Sequence, residues 1–137
     1  MSFQMKPVNY YMTMVEDQPG EGYKVLSMLA EMGINLLAFN AIPLGPTQVQ
    51  LTMFPEDTSK LTSEAKKTGI ELKGPYTAIL VQGDDELGAF AGIHDKLFKA
   101  NVNVFSSNGV TDGRGSYGYV LYIKPEEFDR AVKALGV

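Results

Sequence analysis

Apolar and polar positions along this chain fall into two periodicities, one near two residues and one near three and a half, and the changes between them mark the elements. Val8 to Val15 (VNYYMTMV) is rich in apolar and aromatic residues and stops at the acidic, proline-containing Glu16-Asp17-Gln18-Pro19, which predicts a strand. From Gly20 the apolar positions Val25, Leu26, Leu29 and Met32 keep helical spacing; Pro19 suits a first helical turn and Gly33 a left-handed stop. Ile34 to Ile42 and Thr47 to Phe54 read as strands joined by the turn-rich Pro43-Leu44-Gly45-Pro46. A weaker helix spans Asp57 to Thr68 with Leu61 and Ala65 inward, and Ile70 to Lys73 forms a short strand. The first half therefore reads βαββαβ.

The second half repeats that order. Tyr76 to Gln82 reads as a strand, Glu86 to Ala100 as a helix, Val102 to Val110 and Ser116 to Ile123 as strands, and Pro125 to Leu135 as a helix with the stripe Phe128, Ala131, Val132, Leu135 and a cap at Gly136. The residues themselves echo: Asp17-Gln18-Pro19-Gly20 returns sixty-eight positions later as Asp85-Glu86-Leu87-Gly88, and Met32-Gly33-Ile34-Asn35-Leu36 as Ala100-Asn101-Val102-Asn103-Val104. Leu51-Thr52-Met53-Phe54-Pro55-Glu56 matches Leu121-Tyr122-Ile123-Lys124-Pro125-Glu126 if a small insertion is allowed. Two units, 1–74 and 75–137, thus fill the chain. The second lacks a C-terminal strand of its own. The same offset sets Phe3 to Lys6 against Glu71 to Gly74, so residues 2–6 are expected to supply the missing edge strand, within the chain or across a dimer.

Composition narrows the function. Twelve basic against sixteen acidic residues give a net charge of -4, a balance unsuited to holding phosphates, so no nucleic-acid partner is expected. With no cysteine, disulfides, thiolate metal sites and cysteine nucleophiles are excluded. The opening Met1-Ser2-Phe3-Gln4-Met5-Lys6 lacks the apolar stretch of a signal peptide, and no segment reaches membrane-spanning length. A cytoplasmic protein without a membrane partner is the expectation.

The opening strand, Asp17-Gln18-Pro19-Gly20-Glu21, the helix and Met32-Gly33-Ile34-Asn35-Leu36 within a βαββαβ frame resemble an ACT domain, and the second half resembles the same family with Leu87 for the proline and Asn101 for the glycine. The resemblance covers almost the whole chain. It implies an α+β fold of two tandem ferredoxin-like units with antiparallel sheet and helices on one face. It also implies a non-catalytic regulatory role, in which an amino acid binds at the turn between first strand and first helix and at the start of the second strand, near a domain or subunit interface. Carried onto this chain, the ligand-binding set is Asp17, Gln18, Pro19, Gly20, Asn35 and Leu36, with Asp85, Gly88, Asn103 and Val104 in the second unit. A glycine at the turn lets a carboxylate approach the backbone, and a helix start attracts it; Asp17 or Asp85 can accept from an ammonium group. The same residues also suit structural roles, Asp17 beside a helix start and Asn35 and Asn103 at strand ends.

Other motifs carry less. Gly113-Arg114-Gly115-Ser116-Tyr117-Gly118 fits G-x-G-x-x-G but leads into a strand, so it reads as a hairpin turn and not as a dinucleotide loop. Arg114 to Tyr122 approaches an RNA-recognition signature, yet the repeat sets Tyr119, Leu121 and Ile123 over Val49, Leu51 and Met53, on the core face. His94 reads as a packed histidine between Phe90 and Leu97, and Asp84-Asp85-Glu86 as a solvated helix start, so no metal, cofactor or catalytic residue is expected. On the opposite face Gly118, Val120 and Tyr122 stand where the first unit has Gln48, Gln50 and Thr52, and this apolar surface predicts a homodimer. A separately encoded metabolic enzyme is the further partner implied by a stand-alone regulator; a structural module without ligand is the alternative.

Overall fold

The structure is a computed structural model that describes residues 3–137, with side chains from Gln4 onward. Six strands and four helices follow in the order β1 (Phe3–Glu16), α1 (Glu21–Glu31), β2 (Leu36–Leu44), β3 (Gln48–Pro55), α2 (Thr58–Thr68), β4 (Lys73–Asp84), α3 (Ala89–Lys99), β5 (Val104–Thr111), β6 (Ser116–Ile123) and α4 (Pro125–Leu135). The fold is α+β, and β1 with β3, β2 with β3, β4 with β6 and β5 with β6 pair antiparallel. Two strands are longer than the sequence pattern predicts. β1 starts at Phe3, not Val8, and β4 is one strand from Lys73 to Asp84 where the pattern suggested two, because the chain stays extended through Gly74 and Pro75. Ile70 to Leu72 precede it outside any strand.

Contacts divide the chain into two compact units. One is Asn9–Tyr76; the other joins Thr77–Val137 to the described residues up to Val8. Of residues 2–6, expected as an edge strand, Ser2 lies outside the described residues, and Phe3 to Lys6 are strand and belong to the unit of Thr77–Val137 in the same chain.

In the first unit the strands run in the order β2-β3-β1, with the opening residues of β4 beyond β1. Its core follows from alternation: Tyr11 of β1 and Leu51 and Met53 of β3 point to the side where α1 brings Val25 and Leu29 and α2 brings Leu61. In the second unit the opening residues of β1 are followed by β4, β6 and β5. Ile79 and Val81 of β4 and Tyr117, Tyr119, Leu121 and Ile123 of β6 meet Ile93 and Leu97 of α3 and Ala131 and Leu135 of α4, and Met5 of β1 packs against this cluster. Each unit thus buries one sheet face under its two helices.

The strand register removes the insertion that the sequence alignment required. Thr13 faces Leu51 and Val81 faces Tyr119, so the sixty-eight-residue offset persists through the third strand of each unit. Tyr119 is therefore the counterpart of Leu51, and Gly118, Val120 and Tyr122 are counterparts of Gln50, Thr52 and Phe54. The two-residue error leaves the faces unchanged because side chains alternate with period two. It does change the argument for a covered apolar surface: Val120 and Tyr122 are 5% and 7% exposed in the single chain, as buried as Thr52 at 3% and Phe54 at 1%. Their apolar character needs no second subunit.

Both units close the end of their first helix in one way. Ile34 N–H donates to Leu29 C=O and Val102 N–H to Leu97 C=O, each at 2.9 Å, around the left-handed Gly33 and Asn101. The exposed carbonyls are then met by a cation from the second helix. Lys60 Nζ donates to Gly33 O at 3.1 Å, while Arg130 donates to Ala100 O at 3.1 Å and Asn101 O at 2.8 Å. Core truncation tests the packing: Leu61→Ala and Leu121→Ala, both at fully buried positions, are each expected to lower the unfolding free energy by roughly 2–5 kcal/mol in urea melts. A loss below about 1 kcal/mol at either site would contradict its place in the core.

Candidate functional site

The two strand-to-helix turns are built alike. Asp17 N–H donates to Thr47 C=O at 2.9 Å and Asp85 N–H to Gly115 C=O at 2.8 Å, which ties each turn to the hairpin beside it. Gly20 and Gly88 then adopt φ 88° and 80°, and no side chain caps the helix that follows. Left-handed backbone is why a glycine stands at both positions. The first N–H groups of α1 and α3 thus start without a side-chain acceptor, a geometry that favours an anion. Asp17, Gln18, Pro19, Gly20, Asp85 and Gly88 are all exposed.

The remaining predicted residues lie elsewhere. Glu16 pairs with Gln48 and Leu36 with Pro55, so the turn and the start of β2 sit at opposite ends of β3, about 23 Å apart at 3.3 Å per residue. Asn35 is engaged at that far end: its Nδ2 donates to Glu56 Oε2 at 2.8 Å and its carbonyl accepts from Glu56 N–H at 2.8 Å. Asn103 is exposed, with its backbone N–H donated to Glu127 Oε1 at 3.2 Å. Leu36 and Val104 are half-buried against the cores of their units. Within one unit no single amino acid can touch both groups.

Cavities distinguish the turns. Beside Asp17 and Gln18 lies a polar cleft of about 360 Å³ with Glu16, Pro46, Thr47 and Gln48. Beside Gly88 lies a cavity of about 250 Å³ walled by Met5, Leu87, Ala89, Gly92, Ile93 and Tyr117, with Asp84 and Lys96 as its charged members. At this wall Gly92 stands where α1 carries Lys24, whose side chain is largely exposed and paired with Glu21. Gly92 and Lys96 were not among the predicted residues, although Gly88, Gly92 and Lys96 at intervals of four share one helix face. Met5 belongs to the segment that the repeat offset sets as the edge strand of this unit.

The misleading motifs resolve in the structure. Asp112 Oδ1 accepts from the N–H groups of Arg114 at 2.7 Å and Ser116 at 3.1 Å, fixing the β5–β6 hairpin. Tyr119 is buried with Phe90 stacked on it at 4.1 Å, and its hydroxyl joins His94 Nε2 and donates to Ser107 Oγ at 3.1 Å. It faces a helix, not solvent. Among the described residues no three His, Asp or Glu side chains gather as metal ligands, and no helix is long and apolar enough to cross a membrane.

No protein-family model and no curated protein matches this sequence. Solved structures do resemble it. Protein BT0572 from Bacteroides thetaiotaomicron aligns with a TM-score of 0.80 at 17% identity, over 96% of this chain and 88% of that one. The regulatory subunits of aspartate kinase from Thermus thermophilus and Thermus flavus align with TM-scores of 0.62 and 0.60 at 17% and 16% identity, over 98% and 99% of this chain and 94% and 95% of theirs. At such identities the likeness is one of fold, and the chain shares its fold with these regulatory subunits of aspartate kinase.

Burial raises the pKa of the Tyr117 hydroxyl above the usual 10.0, and the negative charges of Glu86 and Asp84 push it further up. The unfolded chain therefore loses this proton first as pH rises, so the contribution is intact below pH 10 and stability falls above it. Alkaline titration followed by tyrosinate absorbance is expected to show late ionisation whose amplitude falls in Tyr117→Phe, leaving that of Tyr11, which burial also raises, and the variant's stability declines less steeply. An unchanged titration curve in that variant would refute the assignment.

Proposed function

We propose that the chain is a stand-alone regulatory protein of ACT type that binds an amino acid at a strand-to-helix turn and has no catalytic role of its own. The observation that carries this reading is the cavity at Gly88. Its walls are mostly apolar, and its two charged members have opposite sign, Lys96 for a carboxylate and Asp84 for an ammonium group. Its volume of about 250 Å³ admits a small ligand with an aliphatic side chain. Asp85 and Gly88 shape this turn; Asp17, Gln18, Pro19 and Gly20 form the shallower polar counterpart.

The distance from either turn to Asn35 or Asn103 bears on assembly. A ligand cannot meet both groups within one unit, and a cytoplasmic homodimer is the form we propose for the regulator. Binding would then favour one subunit arrangement and pass the signal to a separately encoded metabolic enzyme. The fold shared with regulatory subunits supports this role. The competing reading is an oligomerisation module without ligand.

Thermal unfolding with a panel of amino acids separates the two. A ligand at a hundred times its Kd adds about 2.7 kcal/mol, a rise of roughly 5–10 °C for a chain of this size. Gly92→Leu, which refills the hollow and meets no atom at its Cβ position, is expected to abolish the rise while leaving the fold intact. No shift with any amino acid would leave the structural module standing.

A further inference from the structure

A second cavity in the unit of Thr77–Val137, of about 470 Å³, lies on the sheet face turned away from the helices. Its floor is Gly118 of β6, which alternates with the inward Tyr117 and Tyr119. Gln82 of β4 and Val110 of β5 stand opposite Gly118 on either side, and Asp84 faces Ser116 in the next pair. In the first unit the equivalent row is Met14, Gln50 and Ile42. The row has therefore lost its central side chain and exchanged a thioether for an amide. At the hairpin end, Asp112 occupies the position that Leu44 holds in the first unit, so an apolar, filled patch has become a polar, hollow one.

The lining is unbalanced in charge. Asp84 and Asp112 contribute carboxylates, Gln4, Gln82, Thr111 and Ser116 contribute neutral polar groups, and among the described residues no lysine or arginine lines it. Both backbone contacts of Asp112 fall on Oδ1. We infer that this cavity binds a small organic cation, a primary ammonium or guanidinium on a short aliphatic stem, with the stem over Gly118 and beside Val110 and the charged head toward the carboxylates. The hollow left by Gly118 selects for the stem, and the missing basic residue selects for the sign of the head. The site lies on the other side of β6 from the cavity at Gly88, and Asp84 belongs to the rim of both.

Isothermal titration of the full chain with putrescine, agmatine and lysine tests it, with 1,4-butanediol as the uncharged control. Binding of at least one cation and none of the diol is expected. Gly118→Gln, which restores the first unit's residue where a Cβ meets nothing within 4 Å, is expected to weaken it roughly tenfold or more. Should that variant not fold, Gln82→Met makes the equivalent restoration at the rim and is expected to weaken binding in the same direction. Gly92→Leu should leave it unchanged, which separates this site from the amino-acid site. Diamine alone points to a free polyamine, lysine to a basic amino acid. The proposal is overturned if no cation binds, if the restoring variant that folds binds as tightly as the original chain, or if Asp17→Asn weakens binding as much as Gly118→Gln.

Discussion

The rest of the structure depends on the pairing needs of β4. A central strand must satisfy its backbone N–H and C=O groups on both edges, and in the second unit β6 serves one edge of β4 while the opening residues of β1 serve the other. Only then can Ile79 and Val81 hold still beneath α3 and α4, and only then do Met5 and Tyr117 close the cavity beside Gly88. The same division of labour recurs in the first unit, where the opening residues of β4 lie beyond β1. The second unit is thus completed by strand residues that its own repeat does not contain.

Within that frame the two repeats agree in backbone and part company in side chains. The turn bonds of Asp17 and Asp85, the left-handed Gly20 and Gly88, and the helix closures at Ile34 and Val102 are the same contacts made twice. Fold-bearing positions tolerate little change, because a lost backbone partner or a strained turn costs more than a surface substitution. The divergent positions, Lys24 against Gly92 and Gln50 against Gly118, remove volume without touching a backbone bond. Both removals fall in the second unit. The cavities there are lined by residues of no recognisable motif.

Much of this architecture was legible in the residues, and the reasons for the rest are physical. Alternation placed Tyr119 and Leu121 on the core face, and the stripe at Phe128, Ala131, Val132 and Leu135 set α4 to the residue. The start of α3 and the continuity of β1 are less legible, for different reasons. Acidic Glu86 reads as a helix start, but Gly88 in the left-handed region forces the helix to begin at Ala89. Phe3 to Lys6 has no helical or turn character to oppose extension, yet only its distant partner strand makes it a strand. Pro55 and Pro125 lured the alignment two residues out of register, one ending a strand and the other opening a helix. For the site, the turns were visible as Asp-x-x-Gly, while the cavity beside one of them was not, since an empty space is written as a glycine like any other.

That completion of one unit by distant residues bears on how the chain is made. Phe3 to Val8 are synthesised before Thr77–Val137, so this strand segment waits for a later part of the chain. During that interval its backbone edge is open to wrong partners. Lys6 and Pro7, adjacent and exposed, are the residue types that discourage stray pairing at an open edge. The segment carries its own protection for the time before its neighbour arrives.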